Sequence, residues 1–221
     1  MHRSARDALF ASRFVLWARS GVARRMKNKN IILCGVGGQG TILASKLMAA
    51  AAMKRGIEVK TAETIGMAQR GGSVFSHVRL GKDLYSPMIA PGKADIIIGF
   101  EPAEAVRHLP FLKDGGTVVV SSCPILPVSA LIGTSSYPLE EVLQYLKEKT
   151  ENLILIDSEA AAKNLGSAKV LNMLLLGAAV RTGELGFEVE DIRTAMREKV
   201  PAKFHDLNEK ALMYTEEKGI S

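Results

Sequence analysis

The amino-acid sequence predicts an α/β protein, with an open, mostly parallel but mixed sheet, helices on both faces and a helical C-terminal tail. Three observations predict it. From residue 30 onward, short apolar runs alternate with segments of helical period. The first run, Ile31–Cys34, feeds a turn with four glycines in six positions, and a helix-forming segment follows at once. Hydrophobic residues make up 47% of the 221 residues but aromatics only 5%, so the core must be aliphatic, as suits strands buried on both faces.

Each element has its own signal. Ile31–Cys34 is the first strand, and Thr41–Arg55 is a helix with Leu43, Leu47, Ala50 and Ala51 on one stripe. Gly56 ends that helix as a C-cap, and Ile57–Thr61 is a short second strand. Residues 63–72 show no clean period and read as a loop or a helical turn. Ser73–Leu80 alternates with period two, placing Val74, Ser76, Val78 and Leu80 on one face and His77 on the other. After the turn at Gly81-Lys82-Asp83, Leu84–Pro87 reads as a second extended piece, so a hairpin and hence a mixed sheet are expected. Ala94–Gly99 is a buried strand. Glu101-Pro102 opens a helix expected to reach about Leu112, with Pro102 tolerated in its first turn. Asp114-Gly115-Gly116 turns into the strand Thr117–Val120. A loop with Pro124, Pro127 and Gly133 leads to an amphipathic helix, Pro138–Lys149, and Leu153–Ile156 is the last strand. The tail is helical over about 158–164, 167–182, 188–199 and 203–218, broken at Gly183, Gly186 and Pro201. The sum is about five strands.

The formal net charge of +6 is concentrated at one end. Residues 1–25 hold six of the 29 basic residues, all Arg, and one of the 23 acids, Asp7; residues 26–221 keep 23 basic and 22 acidic residues. The body is thus almost neutral and offers no basic face for nucleic acid. Residues 1–25 read as an extension outside the core fold, and 26–221 as a single α/β domain. The extension is open to three readings: an Arg-rich organelle leader, an upstream start with Met26 as the working first residue, or a basic helix docking on a membrane or a partner. No apolar run reaches 18 residues, so the body is not expected to span a membrane. Cys34 and Cys123 read as reduced thiols of a cytoplasmic protein. Two thiols are too few for an iron–sulfur cluster, and four scattered histidines do not suggest a zinc site.

Three groups of residues could carry function. The turn Gly35-Val36-Gly37-Gly38-Gln39-Gly40 fits G-x-G-x-x-G, the Rossmann-like geometry that offers backbone N–H groups to an anion. Equally, the glycines could serve only to pack helix on strand. A dinucleotide site wants an acid at the end of the second strand; Glu58 sits at its start and Glu63 falls after it. A free-standing NAD(P)-binding oxidoreductase therefore stays an alternative reading only. The second group is Glu63 with Gln69-Arg70-Gly71-Gly72-Ser73, leading to His77 and Arg79 near the same sheet edge; Arg70 could equally be a solvated loop charge. The third is Asn172, which must find partners inside the apolar helix around Val170–Val180. No catalytic triad and no paired carboxylates stand out, and Cys34 reads as a buried thiol.

The ordered set Gly35–Gly40, Glu63–Val74 and Ser76-His77-Val78-Arg79, with Lys169…Asn172…Leu176-Gly177 and Asn208-Glu209-Lys210-Ala211, resembles the gamma domain of 2-oxoacid:ferredoxin oxidoreductases. Within that group it is most similar to the beta subunits acting on indolepyruvate. The resemblance spans about Lys27 to Lys218. It implies a subunit, inactive alone, of a complex that decarboxylates a 2-oxoacid on thiamine diphosphate, passes electrons through iron–sulfur clusters to ferredoxin and forms an acyl-CoA. It implies that thiamine diphosphate, the clusters and CoA belong to the complex and that none is held by this chain alone. The partner implied is a large thiamine- and cluster-bearing subunit. Gly35, Gly37, Gly38, Gln39, Gly40, Glu63, Gln69, Arg70, Gly71, Gly72, Ser73 and Asn172 would face a cofactor or that partner, with no catalytic residue and no metal ligand among them.

Overall fold

Ile31, Ile32, Leu33 and Cys34 are fully buried, so the first strand lies at the centre of a sheet rather than at its edge. The computed structural model describes residues 27–64, 72–126, 130, 132–133 and 136–217. The expectations for residues 1–25 and for Gln69, Arg70 and Gly71 lie outside the described residues.

Six strands form one sheet in the order β2-β3-β1-β4-β5-β6. They are β1 (Lys29–Val36), β2 (Glu58–Glu63), β3 (Ser73–Gly81), β4 (Ala94–Gly99), β5 (Leu112–Ser121) and β6 (Asn152–Ile156). β1, β4, β5 and β6 run parallel. β3 is antiparallel to both β1 and β2, with Ile32 opposite His77 and Ala62 opposite His77. The sheet is mixed as expected, but not through the expected hairpin. Leu84–Pro87 forms no strand, because both edges of β3 are already taken and Pro87 has no N–H to give a ladder.

Seven helices are described: α1 (Thr41–Lys54), α2 (Pro102–His108), α3 (Leu139–Lys149), α4 (Ser158–Leu165), α5 (Leu171–Arg181), α6 (Val189–Lys199) and α7 (His205–Glu217). α1, α5, α6 and α7 share one core with Ile31, Leu33, Ile96, Ile98 and Val119. On the other face, Ala105 of α2 and Leu146 of α3 pack on Ile32, Cys34, Ile97, Val118 and Val120. α5 is buried from Asn172 to Val180. It can cross close to α7 because residue 177 is glycine: a Cβ there would lie 2.3 Å from the Leu212 carbonyl oxygen.

Two boundaries differ from the sequence expectation. α2 stops at His108 and a 3-10 turn, Leu109–Phe111, follows, because Pro110 cannot donate the next helical hydrogen bond. β5 therefore starts at Leu112 and absorbs Asp114-Gly115-Gly116 as an irregularity in its register with β4. β2 runs on to Glu63, which ends the strand instead of following it.

Candidate functional site at the carboxyl edge of the sheet

β1 connects to one side of the sheet and β4 lies on its other side, so the crevice between their carboxyl ends is the topological switch point, where open α/β sheets place ligands. The glycine turn follows β1 here. Gly38 and Gly40 take φ of +104° and +89°, conformations that strain any residue with a Cβ. Gly40 is also the N-cap of α1 and gives it no side-chain cap.

The crevice is occupied by the chain's own Gln39. Its Oε1 accepts from the Val36 amide at 2.7 Å and its Nε2 donates to the Phe100 carbonyl at 2.8 Å. Gly35 is required by this arrangement. A Cβ at residue 35 would lie 2.7 Å from both Gln39 Oε1 and Phe100 Cβ, so the first glycine of the fingerprint makes room for protein atoms. The usual ribose reader is also displaced. Glu63 ends β2, and β3 intervenes between β2 and β1, which sets Glu63 about 10 Å from the first strand at two strand spacings.

Other predicted residues do meet at this edge. Gly37 donates its amide to the Gly72 carbonyl at 2.9 Å, joining the glycine turn to the residue just before β3. Asn172, at the start of α5, packs on Gly40; a Cβ on Gly40 would lie 3.4–3.5 Å from the Asn172 side chain. Asn172 is 3% exposed and its Oδ1 is buried without a partner. Ser73 Oγ donates to Glu104 Oε2 at 2.6 Å.

That last bond leads to residues the sequence reading passed over. Paired carboxylates were not expected, yet Glu101 and Glu104 are both buried at the start of α2. Glu101 Oε2 caps the helix by accepting from the Glu104 amide at 2.9 Å, and Glu101 Oε1 accepts from the Tyr137 hydroxyl at 2.5 Å. Tyr137 in turn accepts from the Ala103 amide at 3.1 Å. Burial, then the bond to Glu101, pushes the Tyr137 phenol above its ordinary range. The signal was Glu-Pro-x-Glu at 101–104, an acid before a proline in the first helical turn followed by a second acid. Burial, reinforced by Glu104 and Glu101, also raises the Cys34 thiol well above its ordinary value, so Cys34 stays a neutral thiol. The edge is therefore a closed hydrogen-bonded rim running from Gln39 through Gly72 and Ser73 to Glu104, Glu101 and Tyr137. Among the described residues, no group of three or more His, Cys, Asp or Glu side chains is placed to hold a metal ion. No helix among them is long and apolar enough to cross a membrane.

Comparison with known proteins agrees with this architecture. The family model described as pyruvate ferredoxin/flavodoxin oxidoreductase matches residues 30–217. Indolepyruvate oxidoreductase subunit IorB of Pyrococcus horikoshii is 41% identical over 188 residues, covering 84% of this chain and 93% of the relative. The crystal structure of a keto/oxoacid ferredoxin oxidoreductase gamma subunit from Geobacter sulfurreducens superposes with a TM-score of 0.63 at 26% identity, covering 87% of this chain and 97% of that one. A 2-oxoglutarate:ferredoxin oxidoreductase chain from Magnetococcus marinus shows the same fold at 22% identity and a TM-score of 0.66; the match covers 89% of this chain but 32% of that one. On the match of the family model from residue 30 to residue 217 and the 41% identity to a relative over most of both chains, this chain belongs to the pyruvate ferredoxin/flavodoxin oxidoreductase family.

Proposed function

We propose that this chain is the small subunit of a 2-oxoacid:ferredoxin oxidoreductase acting on indolepyruvate or a related arylpyruvate. The observation that carries the reading is the 41% identity to indolepyruvate oxidoreductase subunit IorB along 93% of that relative. The large subunit holds thiamine diphosphate and the iron–sulfur clusters, decarboxylates the 2-oxoacid and forms the acyl-CoA; ferredoxin takes the electrons from the complex. This chain's own residues do not fit those groups. Its two thiols fall short of the four a cluster usually takes, and the buried, neutral Cys34 is a poor ligand. No redox step is therefore routed through this chain.

Its contribution is a shaped surface. In this reading residues 26–221 act as one α/β unit in the cytoplasm, and residues 1–25 lie outside it. In this reading Gly35, Gly37, Gly38, Gln39, Gly40, Glu63, Gln69, Arg70, Gly71, Gly72, Ser73 and Asn172 are the residues that meet the large subunit or the CoA side. Gln39 and Ser73 are already held by hydrogen bonds within the chain, so these side chains can dock without reorganising, which lowers the cost of association. Purification of the chain from its native host tests the reading. A partner of larger mass that carries iron and thiamine should accompany it in a fixed ratio. A chain that purifies alone under conditions that preserve such complexes would contradict the proposal.

A further inference from the structure

Residues 82–93, between β3 and β4, run as a strap over the face of β3 that carries Phe75, His77 and Arg79. Leu84 and Ile89 are the strap's buried side chains, while Tyr85 is 93% exposed on it. Two bonds to β3 hold its middle: Arg79 Nη1 donates to the Ser86 carbonyl at 2.8 Å, and the Ile89 amide donates to His77 Nδ1 at 3.2 Å. The second bond defines a tautomer. Nδ1 must carry the lone pair, so the proton sits on Nε2, which is buried without a partner. The ring stands edge-on to Phe75 and Phe111, at 5.5 Å and 5.7 Å.

We propose that His77 is a proton-operated latch: the neutral ring holds the strap by accepting the Ile89 amide, and a second proton, on Nδ1, turns that acceptor into a donor and releases the strap around Ile89. The surroundings offer an imidazolium little help. On β1 the neighbours are Ile32, opposite, and Cys34, two pairs along; on β2 they are Ala62, opposite, and Lys60, two pairs along. Arg79 lies two residues on along β3. From α2 come His108, whose Nδ1 lies 2.8 Å from the Glu104 carbonyl, and Glu104, whose carboxylate is taken by Ser73. The 3-10 turn contributes Phe111. Arg79 and Lys60 carry positive charge, and His108 further disfavours an imidazolium at His77. Burial, then His108, holds the His77 pKa below its ordinary value, so the latch stays closed at neutral pH and opens in acid. The inference stands independently of the proposed assembly.

Residue-resolved NMR of the full chain tests it. At about pH 8 the ring nitrogens should report the Nε2–H tautomer. As His77 titrates, exchange protection of the Ile89 amide should fall at least about tenfold relative to that of Lys93, which bonds to the Phe111 carbonyl instead. In His77→Asn, whose Oδ1 can take the place of Nδ1 without titrating, the ratio should stay flat. A wild-type ratio that does not change through the His77 titration overturns the proposal, as does an equal fall in H77N. The wild-type ratio decides alone should H77N fail to fold.

Discussion

Gln39 Nε2 donates to the carbonyl of Phe100, 61 residues away, at 2.8 Å. With its Oε1 on the Val36 amide, this one side chain joins the ends of β1 and β4 at the point where a ligand would otherwise enter. A G-x-G-x-x-G turn can thus be retained for packing. Replacing Gln39 by Ala leaves both backbone groups without their partner in a half-buried place. Equilibrium urea denaturation of Q39A should show a loss of about 1–3 kcal/mol. A loss below about 0.5 kcal/mol would mean that water replaces the carboxamide without cost.

Gly35 and Gly38 are predicted to fail for different reasons when changed to Ala. At Gly35 the new methyl meets Gln39 Oε1 and Phe100 Cβ at 2.7 Å, so overpacking should cost about 1–3 kcal/mol. At Gly38 nothing lies within 4 Å, but φ is +104°, so only backbone strain applies, of about 1–2 kcal/mol. Combining Q39A with G35A separates the two. Removing Gln39 clears one of the two contacts, so the double mutant should be less destabilised than the sum of the single changes.

Gly177→Ala should be the most damaging single methyl in the chain's helical half. The contact is with backbone, the Leu212 carbonyl oxygen at 2.3 Å, which cannot rotate away as a side chain can. α5 and α7 must move apart, and a loss of about 3 kcal/mol or more is expected in thermal or urea unfolding. Normal stability for G177A would contradict the close crossing.

Stability should fall on the acid side for a reason that involves His77. Its folded pKa lies below the ordinary value of about 6.5. A depressed pKa means that the unfolded chain takes the proton first. The contribution is therefore whole above about pH 6.5 and is lost as the pH falls through the folded pKa. Carboxylates also titrate in this range, so the informative quantity is a difference. Denaturation midpoints of wild type and H77N, compared across pH, should converge in acid. Parallel curves would remove His77 from the account.

The parallel strands were legible because burial on both faces forces runs such as Ile96-Ile97-Ile98 and Val118-Val119-Val120. The helical tail was legible from its period and its breaks at Gly183 and Pro201. The place of β3 was not. A period-two run says that a strand has two faces but not which strands flank it, and the nearest piece in sequence, Leu84–Pro87, was the wrong partner. At the site, Gln39 was visible as a donor and acceptor in the glycine turn, but its partner Phe100 is distant in sequence. Glu101 was hidden because Glu is not a usual N-cap, and Tyr137 because nothing local ties it to α2.

The central claim is that this chain completes an oxidoreductase without carrying its redox chemistry. Indolepyruvate-dependent reduction of ferredoxin, measured with the purified chain, with its large partner and with both, tests it most directly. The account predicts a colourless chain with no turnover alone, and activity that rises to saturation as the chain is added to the partner. A brown preparation of this chain alone, or oxidation of the 2-oxoacid by it unaided, would contradict the claim.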